Sequence, residues 1–403
     1  MKSDTKHSQY FMDLENTYGA HNYHPIPVVI SKAEGVWVWD PEGRKYMDCL
    51  SSYSAVNQGH RHPKIIAALK DQADRVTLTS RAFHNDMLGP YLKRLTEYTQ
   101  MDVALPMNTG AEAVETAIKI ARKWGYVKKG VPNGEVEIIA CEENFHGRTT
   151  TIVGFSTDPL AHDGFGPATP GFKVIPYNDV EALESAITDN TVGFLVEPIQ
   201  GEAGVKVPDH GYLERVKAVC EKRNVLLMLD EVQTGFCRTG KAFAWMHENA
   251  KPDILMVGKA LGGGVYPVSA ALASRDVMAV IGPGEHGSTF GGNPLACAVA
   301  CAALDVLVEE NLSEKARVLG ERFRRGVRAI ESGKITDVRG AGLLNAIDID
   351  PKTGKARLYT EKLKDLGVLA KETHESTIRF APPLVIEEDQ VDWLVQTIAK
   401  ALA

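Results

Sequence analysis

Asp230 and Lys259 stand at matching places in this sequence. Asp230 ends the apolar run at 224–230 (NVLLMLD), and Lys259 ends the next such run, at 253–259 (DILMVGK). Both runs have the length and composition of buried strands, so successive strands would bring an acid and an amine to one edge. A lone strand-end aspartate is often a helix cap, and a lone lysine is rarely catalytic. Together they fit a lysine that forms an imine with pyridoxal 5′-phosphate and a carboxylate set against the pyridine nitrogen. The ring drains electrons from a neighbouring carbon only while that nitrogen keeps its proton. A carboxylate about 4 Å away, at an effective dielectric near 20, favours the proton by about 4 kcal/mol, roughly three pKa units. The lysine must be a neutral amine, and desolvation beside a cofactor cation lowers its pKa.

Competing motifs fail on chemistry. From Gly235 the sequence reads Gly-x-x-x-x-Gly-Lys-Ala, one residue short of a nucleotide-triphosphate loop. Ala242 has no hydroxyl for magnesium, and Asp230 and Glu231 would repel the phosphates. Residues 258–264 (GKALGGG) are glycine-rich but lack the Gly-x-Gly-x-x-Gly order of a dinucleotide site. His21, His24, His60 and His62 have no cysteine or carboxylate at ligand spacing, so no metal site is expected.

These residues need a scaffold. Runs at 136–140, 149–155, 192–196, 225–229, 254–257 and 268–272 read as buried strands. Helical patterns lie between several of them, including Val114, Ala117, Ile118 and Ala121, and Leu213, Val216 and Cys220. The reading is an α/β fold: a mostly parallel sheet covered on both faces, with ligands at the carboxyl ends of its strands. After Pro294 long helices dominate, ending in the stripe Val391, Leu394, Val395, Ile398. The expected division is an N-terminal segment, 1–45, belonging to a small domain; a large α/β domain, 46–290; and a small α+β domain, 291–403.

At 403 residues, 44% hydrophobic and 24% charged, the chain has the composition of a soluble protein of two or three units sharing a core. A net charge of -7 provides no basic field for nucleic acid or an anionic membrane. The apolar stretch 287–304 is broken by Gly291, Gly292, Asn293 and Pro294, so it reads as a buried loop and helix rather than a membrane span. The N-terminus lacks a signal-peptide core, and the six scattered cysteines read as reduced thiols, so a cytoplasmic protein is expected.

Residues 229–235 (LDEVQTG), 252–254 (PDI) and 258–259 (GK) resemble the signature of class III (ω-amino) pyridoxal-phosphate aminotransferases, and the resemblance runs along almost the whole chain. It implies a fold-type I transferase. Gly110 and Ala111, opening a helix after Asn108-Thr109, would offer backbone N–H groups to the cofactor phosphate, although an ordinary cap explains them equally well. Phe145, otherwise a core residue, matches the aromatic stacked on the ring, and Gln233 matches the group near the phenolic oxygen. Thr289, within 287–294 (GSTFGGNP), matches the residue that reaches the partner's phosphate, which implies a homodimer with shared sites. His146 receives no role, because the family varies there.

Within the class, the resemblance points to ornithine as amino donor and 2-oxoglutarate as acceptor. Tyr53 stands where acetylornithine enzymes usually carry an aliphatic residue, and Tyr23 lies in a segment whose tyrosine reaches substrate. Arg148 would grip ornithine's distant α-carboxylate through a two-pronged hydrogen bond. Arg379 would bind the α-carboxylate of the acceptor, and Glu202 would mask Arg379 so that ornithine does not enter by its wrong end. Lys259 would move the proton in two ping-pong halves. Acetylornithine or 4-aminobutyrate as donor is the alternative. A non-enzymatic ligand-binding α/β protein explains the fold but not Asp230 with Lys259.

Overall fold

The computed structural model describes residues 7–403. Its centre is a seven-stranded sheet in the order Val103–Met107, Ser269–Ala273, Ile254–Val257, Leu226–Asp230, Thr191–Val196, Glu137–Cys141, Phe172–Ile175. Four successive pairings, from Ile254–Val257 to Phe172–Ile175, are parallel. Ser269–Ala273 runs antiparallel to both its neighbours. The strands at 191–196, 226–230, 254–257 and 269–273 are buried at every position, which is why they read as continuous apolar runs.

Helix Gly110–Trp124 lies on this sheet with Val114, Ala117, Ile118 and Ala121 buried, the stripe seen in the sequence. Helix Tyr212–Lys222 buries Leu213, Val216 and Cys220. One expected strand is wrong: within 149–155 the chain forms the short helix Thr150–Val153. The Thr149 hydroxyl accepts from the Ile152 N–H at 3.2 Å and starts that turn. The edge it would have joined is taken by Phe172–Ile175, which pairs with Glu137–Cys141.

Two smaller sheets flank the large one. Lys32–Glu34, Trp37–Trp39 and Lys45–Asp48 join Val368–Leu369, so early and late parts of the chain share a sheet. Ile335–Ala341, Leu344–Ile349, Thr377–Phe380 and Lys371–Thr373 form the other, and Thr377–Phe380 carries Arg379. The stretch before residue 294 is a loop, and helix Pro294–Glu309 follows, capped by the Asn293 side chain. Among the described residues no helix is long and apolar enough to cross a membrane. All six cysteines are unpaired, five of them buried.

The Gly-x-x-x-x-Gly-Lys segment is a buried loop. The Glu231 carboxylate accepts from the N–H groups of Ala244 and Trp245, both at 2.8 Å, and so closes the loop on itself. Arg238, fully buried, donates to the carbonyls of Leu343 and Pro382 and to the Asn57 side chain. The stretch 235–240 is buried throughout, and of the segment only Lys241 is exposed.

A second local feature lies at 51–54. Ser51, Ser52, Tyr53 and Ser54 have φ of 50°, 47°, 59° and 75°, a left-handed turn without glycine. Left-handed helical backbone costs an L-residue roughly 1–2 kcal/mol, so the surroundings must hold it.

Candidate active site

Three strands of the large sheet end in ionisable groups on one edge. Glu197 follows Thr191–Val196, Asp230 ends Leu226–Asp230, and Lys259 follows Ile254–Val257 by two residues. They border a cleft of about 180 Å³ that is also lined by Gly110, Ala111, Phe145 and Gln233. The structure thus brings together the acid, the amine and all four expected cofactor contacts from this region.

Asp230 is only 6% exposed and is held on both oxygens. Oδ1 accepts from the Val232 N–H at 3.0 Å, and Oδ2 accepts from His146 Nδ1 at 2.8 Å. Burial works against a charged His146 ring, yet the hydrogen bond and charge of Asp230 hold its pKa above the ordinary histidine value. His146 therefore fixes the carboxylate that the sequence singles out, a role its variability in the family concealed.

Glu197 was also missed. Burial pushes its carboxyl up to about 7, with His146 opposing and Asp230 reinforcing. Its Oε2 accepts from the Phe145 N–H at 3.0 Å, which ties the Phe145 backbone to the strand end. The strand-end rule that found Asp230 and Lys259 applies equally to Glu197. Burial also pushes the Lys259 amine below the usual lysine value, although Glu202 and Asp230 pull the other way.

Above this floor sits a second constellation. Arg379, 4% exposed, meets Glu202 through two bonds, Nη1–Oε1 at 2.8 Å and Nη2–Oε2 at 3.2 Å. Gln233 Nε2 donates to Glu202 Oε1 at 3.2 Å, and Thr373 donates its hydroxyl to the Glu202 carbonyl. Burial pulls the Glu202 carboxyl upward, but the Arg379 cation and its hydrogen bonds win and leave it below the ordinary value. The Arg379 guanidinium lies 5.2 Å from the centre of the Tyr53 ring. Burial raises the Tyr53 phenol; Glu202 and Tyr23 add to this, and Arg379 opposes it.

The remaining expected residues lie at the surface. Tyr23 is 71% exposed, near enough to Tyr53 to act on it electrostatically. Arg148 is exposed, with its guanidinium 5.7 Å from the Phe145 ring centre. Thr289 is exposed and does not line the cleft of its own chain. His60 and His62 pair with Asp48 and Glu310, and no metal-binding group of three acids, histidines or cysteines occurs among the described residues.

The family model described as aminotransferase class-III matches residues 18–402. The chain belongs to the class III aminotransferases. Among relatives of this aminotransferase is the ornithine aminotransferase of Brevibacillus brevis, 58% identical over 385 residues, covering 96% of each chain. The crystal structure of the ornithine aminotransferase from Toxoplasma gondii superposes with a TM-score of 0.97 at 48% identity, covering 98% of this chain and 95% of that one. An acetylornithine aminotransferase from Elizabethkingia anophelis superposes at 0.90 with 53% identity, covering 98% of this chain and 99% of that one.

Class III aminotransferases work with pyridoxal 5′-phosphate, and the cleft of this one fits that group. Thr109 caps the helix by accepting from the Glu112 N–H, and the Glu112 carboxylate turns back to the N–H groups of Asn108 and Thr109. The N–H groups of Gly110 and Ala111 have no partner among the described residues, so the first turn presents two donors to an anion. A Cβ on Gly110 would stand 2.9 Å from a Val232 methyl, so only glycine lets the helix start so close to the cleft. Lys259, Asp230 and Phe145 then supply an amine, a carboxylate and an aromatic face.

Proposed function

We propose that this aminotransferase moves the δ-amino group of L-ornithine to 2-oxoglutarate, giving L-glutamate 5-semialdehyde and L-glutamate. The observation that carries the reading is the Arg379–Glu202 bridge beside Lys259. An α-amino acid presents its carboxylate next to the reacting carbon and needs a free arginine there. The bridge withholds that arginine, so a donor whose reacting amine lies far from its carboxylate is favoured. Ornithine entering by its δ-end is such a donor, and the names carried by the relatives above agree with it.

Pyridoxal 5′-phosphate, when bound, supplies a ring that accepts electrons from a breaking C–H bond. Asp230, fixed by His146, would favour a proton on the ring nitrogen. Gly110 and Ala111 would hold the phosphate and Phe145 would cover the ring, while Gln233, which lines the same cleft, bonds Glu202. Lys259 Nζ, whose pKa burial lowers, takes a proton from the amine-bearing carbon of ornithine in one half-reaction. In the other it delivers one to the former keto carbon of 2-oxoglutarate. At the outer end, Arg148 meets the α-carboxylate of ornithine, and Tyr23 and Tyr53 frame its α-amine. The acceptor's α-carboxylate displaces Glu202 from Arg379. Thr289, too far out for its own cleft, completes the phosphate site of a second copy, so the working form is a homodimer acting in the cytoplasm.

The reading is tested by rapid mixing of holoenzyme with ornithine, N-acetylornithine and 4-aminobutyrate, following cofactor absorbance. Ornithine should convert the cofactor at least tenfold faster than the other two. Faster conversion by N-acetylornithine would assign the enzyme to that donor instead.

The bridge makes a separate prediction. Glu202→Ala leaves a buried Arg379 without a counter-charge, so an α-carboxylate no longer has to compete. The glutamate half-reaction should rise at least tenfold while the ornithine half-reaction changes by less than threefold. A glutamate rate equal to or below that of the parent would refute the masking role.

A further inference from the structure

We propose that Asp48 is a positioning residue for donor selection: it clamps the left-handed turn Ser51–Ser54 and thereby sets Tyr53 against Arg379. The inference rests on the reading just given, in which Tyr53 and Arg379 sort the substrates.

The turn is not held by its own side chains. The hydroxyls of Ser51 and Ser54 are buried and make no hydrogen bond. Its entrance is held by Asp48, whose Oδ1 accepts from the N–H groups of Leu50 at 2.8 Å and Ser51 at 2.9 Å. Oδ2 of the same carboxylate meets His60 Nε2 at 2.8 Å, so the acid cannot swing away. Inside the turn, the Ser51 carbonyl accepts from Ala55 at 2.9 Å and Val56 at 3.1 Å.

The clamp is tied to the arginine it serves. Cys49, next to Asp48, accepts through its carbonyl from the Ala381 N–H at 2.7 Å, two residues beyond Arg379. It also donates to the Leu369 carbonyl at 2.8 Å. Arg379 and the start of the turn are therefore fixed to one frame, and the turn's handedness sets the direction in which Tyr53 leaves the backbone. A right-handed turn would carry the ring off the guanidinium face, where it now stands 5.2 Å away. Arg379 would then keep its bonds to Glu202 and to the Gly201 carbonyl but lose the ring on its face, and the wall that ornithine passes would be lost.

The test is a double-mutant cycle on holoenzyme with Asp48→Ala, Tyr53→Ala and the pair, read as single-turnover half-reactions. Asp48→Ala should slow the ornithine half-reaction at least tenfold while changing the 2-oxoglutarate half-reaction by less than threefold. Asp48→Asn keeps an acceptor oxygen for Leu50 and Ser51 and should recover to within threefold of the parent. In the Tyr53→Ala background, Asp48→Ala should add less than threefold. Additive losses, or equal losses in both half-reactions, would overturn the inference. If Asp48→Ala does not take up cofactor, Ser52 asks the same question without touching the clamp. Ser52→Gly should retain the ornithine rate and Ser52→Val, which resists positive φ, should lose it selectively; equal behaviour of the two overturns the inference. A parent enzyme inert toward ornithine would overturn the functional reading along with it, whereas an active parent with additive variants overturns this inference alone.

Discussion

Lys259→Ala should lower turnover by about 10⁴-fold, the upper end of what one general acid–base group contributes. The expectation follows from the placement of the amine. It is buried near Glu202 and Asp230, below its ordinary pKa, and among the described residues it is the only lysine lining the cleft. No neighbouring group can substitute: Glu197 and Asp230 are on the same edge, but both oxygens of Asp230 are engaged and Glu197 is bonded to the Phe145 backbone. Lys259→Arg should fail as well, because a guanidinium stays protonated and cannot accept the carbon's proton. Cofactor should remain bound in Lys259→Ala through the phosphate cradle, but should be removed by denaturation, with no covalent mass left on the chain. A variant retaining more than a tenth of the parent's turnover would contradict the assignment.

Asp230→Asn should cost at least 100-fold in both half-reactions. At about 4 Å and an effective dielectric near 20, removing the negative charge withdraws about 4 kcal/mol of support for the ring proton. Two features make this substitution informative. Asn is nearly isosteric, and the Val232 N–H that now bonds Oδ1 still finds an acceptor. His146 bonds Oδ2, so an amide there loses the charge-assisted partner that holds the ring's pKa up. The loss should therefore appear as slowed chemistry in single turnovers, with cofactor occupancy largely kept. Rates within tenfold of the parent would show that the ring nitrogen does not depend on Asp230.

The parts of the site that were legible in the sequence share a physical cause. Asp230 and Lys259 each end a run of buried residues, so burial of the strand and the ionisable group at its end are both written in composition. Gly110 and Ala111 were legible because a helix start after Asn-Thr leaves unpaired N–H groups; that a Cβ at 110 has no room only the structure shows. Five of the seven strands of the large sheet followed from the same apolar runs, whereas Val103–Met107 and Phe172–Ile175 did not.

What stayed hidden depends on contacts distant in sequence. His146 matters only because it lies 2.8 Å from a residue 84 positions away. Residues 149–155 carry strand-like composition, yet the Thr149 cap and an occupied sheet edge made them helical. A short apolar run cannot by itself distinguish these outcomes. The turn at 51–54 has no glycine to announce it; its handedness comes from Asp48 and the frame around Cys49. The Arg379–Glu202 pair spans 177 residues and was reached only through the family resemblance.

The central claim is that the site takes ornithine by its δ-end. Ornithine labelled with ¹⁵N at the δ-nitrogen alone, turned over with unlabelled 2-oxoglutarate, tests it in one mass spectrum of the glutamate formed. Glutamate carrying the label is the predicted result. Unlabelled glutamate formed at the same rate would mean that the α-nitrogen was transferred, and would contradict the account.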